Sequence, residues 1–248
     1  MMPVITFILL AVFVGALSQR VTGMGFALVS GPFLVLLLDP ISGVVLVNIV
    51  GLVSCAVVFA RTWRDVHWGT LKILAITSAI GTIPGAWLAW AMPTAPLQAL
   101  IGAIVVIALA TSIVIGRVGK VLPVNTGGIA TSGLVAGVMN AASGVGGPAF
   151  STYAVLTRWE QRSFAATMQP LLAIASVMSI IAKVAFDRTA IPHLGLGQWL
   201  MVFAALAAGQ IIGELTAERI PVKVARVGMI TIALAGGAAT LVKGLAGL

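Results

Sequence analysis

Residues 140–148 read Asn-Ala-Ala-Ser-Gly-Val-Gly-Gly-Pro, a polar and glycine-rich stretch inside an apolar part of the chain. Residues 18–25, Ser-Gln-Arg-Val-Thr-Gly-Met-Gly, form a similar break in the first half. The apolar segments beside the two breaks run over 3–17, 26–38, part of 124–142, and 147–157. As helices, 11–15 residues would reach about 17–22 Å, whereas the hydrocarbon core of a bilayer is about 30 Å thick. The breaks therefore predict short helices that end inside a membrane, as re-entrant or broken hairpins.

The composition of the whole chain excludes a soluble protein. Of its 248 residues, 60% are hydrophobic and 8% are charged, and the mean hydropathy is +1.16. A soluble domain carries about 25% charged residues, so this chain could not cover a water-facing surface. Because lipid requires every backbone polar group to be bonded internally, the sequence predicts an all-α polytopic membrane protein. The predicted segments cover 3–17, 26–38, 43–60, 70–92, 96–116, 124–142, 147–157, 163–186, 194–217 and 223–247.

Charge and motif content point away from enzymes, metal sites and nucleic-acid partners. The net charge of +8 comes from Lys and Arg in short loops between apolar segments, a pattern that sets orientation in a membrane. His67 and His193 lie in separate loops and Cys55 lies in an apolar run, so no metal site, nucleophilic centre or disulfide is predicted. The sequence has no phosphate-binding glycine motif, so no cofactor is expected. No basic region precedes residues 3–17, which we interpret as mature protein rather than as a signal peptide.

The second half of the chain repeats the first. A shift of 121 positions aligns the two breaks, and a shift of 128 aligns later glycines and prolines. The pairs are Thr22 with Ser143, Gln19 with Asn140, Asn48 with Gln169, Gly81 with Gly209, Gly85 with Gly213, and Pro93 with Pro221. The order of these matches along the chain predicts a duplication, with residues 1–121 as the first membrane repeat and 122–248 as the second.

The charge distribution indicates how the two copies are oriented. With Arg20 set aside, if each copy has five segments, the second copy is inverted, and ten Lys and Arg fall on one side against three on the other. If each copy has four spans, the copies are parallel and the division is a weaker eight to five. The positive-inside rule favours the inverted arrangement, with the basic side cytoplasmic and both termini external. The count does not distinguish two full crossings from a re-entrant hairpin, although the short segments favour the hairpin.

Inverted repeats with interrupted helices are a recurring plan of transporters, with the substrate near the midplane. A break exposes backbone N–H groups at helix N-termini, which attract anions, and glycine lets a ligand approach the backbone. The alternative is that the glycines only allow close helix packing, and that the amides bond one helix to another. The predicted substrate-binding residues are Gln19, Arg20, Thr22, Gly23, Gly25, Asn48, Asn140, Ser143, Gly144, Gly146, Gly147 and Gln169.

Two charged residues in the apolar parts of the chain have alternative interpretations. Arg20 is the only basic residue in a break, and a guanidinium pairs well with an oxyanion. If both segments beside it cross the membrane, Arg20 is instead an ordinary cytoplasmic anchor. Glu214 could carry a coupling proton, but it lies about one turn from Glu218 and Arg219, and we favour pairing near the interface.

The paired breaks resemble the signature of the sulfite exporter TauE/SafE family. The resemblance rests on Thr22-Gly23-Met24-Gly25 and Ser143-Gly144-Val145-Gly146-Gly147-Pro148, and on the tails Ile83-Pro84-Gly85-Ala86 and Ile211-Ile212-Gly213. It covers nearly the whole chain. It implies a transporter that moves sulfite or small organosulfonates, often outward, in the bacterial inner membrane.

The functional prediction is therefore a secondary transporter of small oxyanions with a small anion and the lipid bilayer as its partners. The alternatives are a passive anion channel, a transporter of another small anion, and a membrane accessory subunit without transport activity of its own. The coupling ion, with the proton as one candidate, and a homo-oligomeric state are left open.

Overall fold

The computed structural model describes residues 2–22, 25–115, 122–217, 219 and 221–248. These residues form α-helices and one short 3-10 turn, with no strand in the described ranges. The helices are α1 (Met2–Thr22), α2 (Phe26–Leu37), α3 (Pro40–Thr62), α4 (Trp68–Ala91), α5 (Thr94–Ile115), α6 (Thr126–Ser143), α7 (Gly147–Thr157), α8 (Gln161–Phe186), α9 (Leu196–Ala217) and α10 (Val222–Ala246). The predicted all-α class is confirmed.

Seven helices in the described part of the chain are long and apolar enough to cross a membrane: α1, α3, α4, α5, α8, α9 and α10. The chain is therefore an integral membrane protein. Helices α2 and α7 have 12 and 11 residues, so they are short, as predicted. Helix α6 has 18 residues and ends at the second break.

The first segment is longer than predicted. Helix α1 has 21 residues, or about 31 Å at 1.5 Å per residue, because the polar residues 18–22 continue the helix instead of breaking it. Their side chains find partners within the bundle: the Thr22 hydroxyl donates to the Ser18 carbonyl oxygen at 2.7 Å, and Gln19 bonds to Ser54 of α3. The prediction of a short segment over 3–17 is therefore wrong, although α2 still packs back against α1.

Glycine is required by backbone conformation where each hairpin turns. Gly25 precedes α2 with a φ of 151°, and Gly144 ends α6 with a φ of 77°, where its N–H donates to the Asn140 carbonyl oxygen at 2.7 Å. L-residues rarely adopt these conformations, whereas glycine does so without a steric cost. The two glycines therefore set the sharp reversals from α1 to α2 and from α6 to α7.

The α6–α7 hairpin has its open end beside the start of α8. The Leu122 N–H, which precedes α6, donates to the carbonyl oxygen of Leu156 near the end of α7 at 2.8 Å. At the other end of the hairpin, the Ala141 carbonyl oxygen accepts a hydrogen bond from Lys183, one turn before the end of α8. The hairpin tip therefore points toward the far end of α8.

The α1–α2 hairpin enters from the opposite end of the bundle. A Cβ at Gly25 would lie 2.7 Å from the Met229 sulfur, near the start of α10. The Leu36 carbonyl oxygen at the open end accepts a hydrogen bond of 3.3 Å from Lys243, near the end of α10. Because α9 crosses the bundle between α8 and α10, the starts of α8 and α10 lie at the same end, so the two hairpin tips point in opposite directions.

Glycines that the predicted 128-residue shift aligns lie at close helix contacts. A Cβ at Gly85 of α4 would lie 2.5 Å from the Val138 carbonyl oxygen of α6, and a Cβ at Gly213 of α9 would lie 3.2 Å from the Leu17 carbonyl oxygen of α1. Helix α5 packs on α10, and α3 packs on α8. Exchanging α1–α5 with α6–α10 leaves this set of helix pairs unchanged.

Candidate functional site

A cavity of about 400 Å³ lies between the two hairpin tips. One wall is formed by the end of α1 and the start of α2, and the opposite wall by the α6–α7 break and by α7. Residues of α3, α5, α8 and α10 line the remaining sides. The predicted site residues that line the cavity are Gln19, Thr22, Gly25, Asn48, Asn140, Gly144, Gly146 and Gly147. Two breaks that are half a chain apart in sequence thus border one space.

Two helix N-termini border this cavity without side-chain caps. Helix α2 begins after Gly25 and α7 after Gly146, and neither residue has a side chain that could bond the first-turn N–H groups. A Cβ at Gly147 would meet no heavy atom within 4 Å, so the start of α7 faces open space. Free N–H groups and the positive end of a helix dipole favour an anion at both positions.

Two asparagines form the buried floor of the cavity. The Asn140 amide of α6 donates to the Asn48 side-chain oxygen of α3 at 3.3 Å, and the Asn48 amide donates to the Ser179 hydroxyl of α8 at 2.9 Å. Asn48 and Asn140 are 1% and 2% exposed, so no bulk water replaces these bonds. The asparagines therefore bond helix to helix and also present polar atoms to the cavity.

Gln19 is part of a second polar network on the α1 side. Its side-chain oxygen accepts a hydrogen bond from the Ser54 hydroxyl at 2.8 Å, and the Gln210 amide of α9 donates to the same hydroxyl at 2.7 Å. The predicted 121-residue shift aligns Gln19 with Asn140, and both side chains line the cavity. The cavity therefore presents one side-chain amide from each of the two aligned positions.

The mouth of the cavity is basic. Arg158, which ends α7 with a φ of 52°, and Arg226 of α10 line the cavity and are exposed. Asp and Glu are absent from the described residues that line it. A pocket with positive groups at its entrance and no negative ones attracts anions from solution.

The sequence interpretation treated Arg158 and Arg226 only as charges that set orientation. The missed signal for Arg158 is the shortness of α7: 11 residues span only about 16 Å, so a residue that follows α7 stays near the break. No sequence signal of that kind marks Arg226. Helix α10 has 25 residues, and only its packing against the other helices brings Arg226 to the cavity.

Arg20 lies outside the cavity lining. Its guanidinium forms a 2.9 Å ion pair with Glu214 of α9, and Arg61 of α3 pairs with the same carboxylate, also at 2.9 Å. The Glu214 side chain is 46% exposed. The sequence favours a paired Glu214, and the structure places it in ion pairs. Its partners are two arginines from other helices rather than the nearby Arg219. Glu218 lies outside the described residues.

Two further predicted residues, Ser143 and Gln169, do not line the cavity. Ser143 is buried, and its hydroxyl donates to the Met139 carbonyl oxygen and accepts from the Val145 N–H. Gln169 donates to the Ala165 carbonyl oxygen within its own helix. Gly23 lies outside the described residues.

Comparison with known proteins gives one match. The family model of the sulfite exporter TauE/SafE matches residues 7–240, which is nearly the whole chain. No curated protein and no solved structure was found to match. The matched range contains both breaks and every residue that lines the cavity.

Proposed function

The chain belongs to the sulfite exporter TauE/SafE family, and from this premise we propose that it is a secondary transporter that carries a small oxyanion through the cavity between its hairpin tips. Membership of this family implies membrane transport of sulfite or related anions. One observation supports the choice of this cavity as the binding site: two uncapped helix N-termini meet there. The described residues that line the cavity include no acidic side chain. Such a site supplies donors that replace the water of a desolvated anion.

The proposed binding groups are the N–H groups at the start of α7 and α2 and the amides of Gln19, Asn48 and Asn140. Arg158 and Arg226 attract the anion to the mouth, where they remain exposed to solvent. Arg20 is not part of this set, because its guanidinium pairs with Glu214 and the residue does not line the cavity. A cavity of about 400 Å³ is larger than a sulfite ion and leaves room for a short organosulfonate.

A carrier fits the geometry better than a passive channel. The cavity extends from exposed Arg158 to Asn48 and Asn140, beyond which the chain is closely packed. Beyond the floor, Val44 is 1% exposed and Ser179 is fully buried, and neither lines the cavity. A space that opens to one end and is closed at the other is expected of one state in alternating access.

The helix pairs support the predicted inverted repeat. Helix α1 runs along α9 in the same direction, since Phe13 and Leu17 meet Gly209 and Gly213 in order. Helix α4 runs along α6 in the same way, and the two hairpins enter from opposite ends. We infer that residues 1–121 and 122–248 are related by a two-fold axis in the membrane plane.

The positive-inside rule then assigns the cavity mouth to the cytoplasm. Arg158, Arg162 and Arg226 lie at the mouth end, whereas Lys183, Arg188 and Lys243 lie at the opposite end. The orientation places both termini outside a bacterial inner membrane and suits outward transport of sulfite. The proton remains our candidate for the coupling ion.

Flux measured in proteoliposomes tests the proposal. Purified protein should give sulfite uptake that saturates with concentration and that responds to an imposed proton gradient, with a short alkanesulfonate as competitor. Non-saturating flux with single-channel conductance would instead support a channel. Absence of both flux and equilibrium sulfite binding would favour an accessory subunit and overturn the proposal.

A further inference from the structure

Lys183 is a buried cation on the far side of the cavity floor. It lies in α8, one turn before the helix ends, and is 3% exposed. Its ammonium donates to the Ala141 carbonyl oxygen at the end of α6 and lies 3.4 Å from the Ser179 hydroxyl. Neither partner carries a formal charge.

No carboxylate among the described residues forms an ion pair with Lys183. The ion pairs of the described chain join Glu214 with Arg20 and Arg61, and Asp65 with Arg162. Asp187 follows one turn later in sequence, but its carboxylate accepts hydrogen bonds from the Thr189 N–H at 2.8 Å and the Thr189 hydroxyl at 2.7 Å. A charge buried in a membrane protein is costly, and where it occurs it usually serves function.

A continuous chain of polar side chains connects Lys183 with the cavity. Lys183 reaches Ser179, the Asn48 amide donates to Ser179 at 2.9 Å, and the Asn140 amide donates to Asn48 at 3.3 Å. Asn48 and Asn140 line the cavity, whereas Ser179 and Lys183 do not. The polar chain thus continues from the closed floor toward the end of the bundle opposite the mouth.

We propose that Lys183 is a second anion site, which receives the oxyanion after it passes the Asn48–Asn140 floor. This inference rests on the proposed transport function and extends it to the closed side of the cavity. The ammonium supplies the charge that the floor lacks, and the Ser179 hydroxyl adds a donor. The ligand class is the same small oxyanion, and sulfite is the probe.

In a purely structural role, Lys183 would cap the end of α6, where both its hydrogen bond and its positive charge are favourable. Such a role would affect stability but would not make the flux depend on this charge once the protein is folded and inserted. Lys183→Gln keeps a donor and removes the charge, whereas Lys183→Arg keeps the charge. Lys243 offers a matched control, since it is a lysine at the same end of the bundle that donates to a helix-end carbonyl at 3.3 Å but is exposed.

The experiment compares sulfite flux in proteoliposomes with equilibrium sulfite binding to the same purified proteins. We expect Lys183→Gln to reduce flux by about tenfold or more, the effect of one lost charge-assisted bond, and to keep cavity affinity within about twofold. Lys183→Arg should retain most of the flux, and Lys243→Gln should behave as the wild type. If the wild type transports sulfite and Lys183→Gln gives the same flux, the second site is overturned and the proposed transport function is not.

A wild type that neither binds nor transports sulfite would overturn the proposed function itself. If Lys183→Gln does not insert, amine labelling of the wild type during transport decides the question. Labelling of Lys183, read by peptide mass spectrometry, should fall when sulfite is present, while labelling of exposed Lys243 should not change. Lys183 labelling that sulfite leaves unchanged, or no labelling under transport conditions, would contradict the proposal.

Discussion

The two hairpin tips satisfy their polar groups in different ways. The tip of the α1–α2 hairpin carries Arg20, which pairs with Glu214 in an ion-pair cluster that Glu214 shares with Arg61. The position equivalent to Arg20 under the 121-residue shift is Ala141, whose carbonyl oxygen accepts from buried Lys183. Both tips present an uncapped helix N-terminus, but the cation of the first tip has a carboxylate partner, whereas Lys183 beside the second tip has none among the described residues. Under the proposed function, this difference favours the α6–α7 break as the main element of anion recognition.

The largest expected effect concerns orientation. Two single-cysteine proteins in a Cys55→Ser background should differ completely in labelling from outside. One carries its cysteine at Gln161, beside the open end of the second hairpin, and the other at Asp39, beside the open end of the first. An impermeant thiol reagent added outside should label the Asp39→Cys protein and not the Gln161→Cys protein, because the hairpins enter from opposite faces. Loss of the Asp39 cap on the Ser42 N–H should cost only about 1 kcal/mol. Equal labelling of both positions would rule out the inverted arrangement.

A second expected effect is loss of transport when the second break is filled. A Cβ at Gly146 would lie 2.9 Å from both the Ala136 carbonyl oxygen and the Asn140 Cβ, so Gly146→Val should destabilise the protein by about 1–3 kcal/mol and abolish sulfite flux. Gly197→Val is the matched control, because a Cβ at exposed Gly197 meets open space and the residue does not line the cavity. Thermal unfolding and flux should both separate the two variants, and a fully active Gly146→Val protein would mean that the break does not bind substrate.

A third prediction compares the equivalent amides Asn140 and Gln19. Asn140→Ala leaves the buried Asn48 oxygen without its partner, which should cost about 1–3 kcal/mol in stability or sulfite affinity. Gln19→Ala should cost less, because the Gln210 amide still bonds the Ser54 hydroxyl. Titration calorimetry with sulfite measures the affinities. A larger loss of sulfite affinity in Gln19→Ala than in Asn140→Ala would mean that the first break contributes more to anion binding than the second.

The smallest expected effects concern exposed arginines. Arg226→Gln should weaken sulfite binding a few-fold at low salt and less at high salt, because an exposed charge is screened. Arg20→Gln should leave sulfite affinity within about twofold of the wild type, since its partner is Glu214 and it does not line the cavity. Binding measured at two salt concentrations checks both variants. Loss of affinity in Arg20→Gln alone would restore Arg20 as a substrate ligand.

Much of the architecture follows from residue pattern. Apolar length and the two glycine breaks predicted the membrane class and the short α2 and α7, and the matched glycines at 85 and 213 lie at close helix contacts. The length of α1 does not follow from residue pattern, because the polar residues 18–22 resemble a loop in hydropathy although they continue the helix. Their side chains are satisfied by Ser54 and by the preceding turn, and only neighbouring helices provide such partners.

Residue pattern alone indicates that this chain lies in a membrane, predicts a repeat, and places glycine at the breaks, because lipid exposure and positive φ angles constrain residue type locally. Which polar groups meet depends instead on how the helices pack. Arg20 joined Glu214, Asn140 joined Asn48, and Lys183 was left buried without a described carboxylate, although all three look alike as polar residues near helix ends. These pairings depend on contacts between helices that are far apart in the chain, and no local pattern records them.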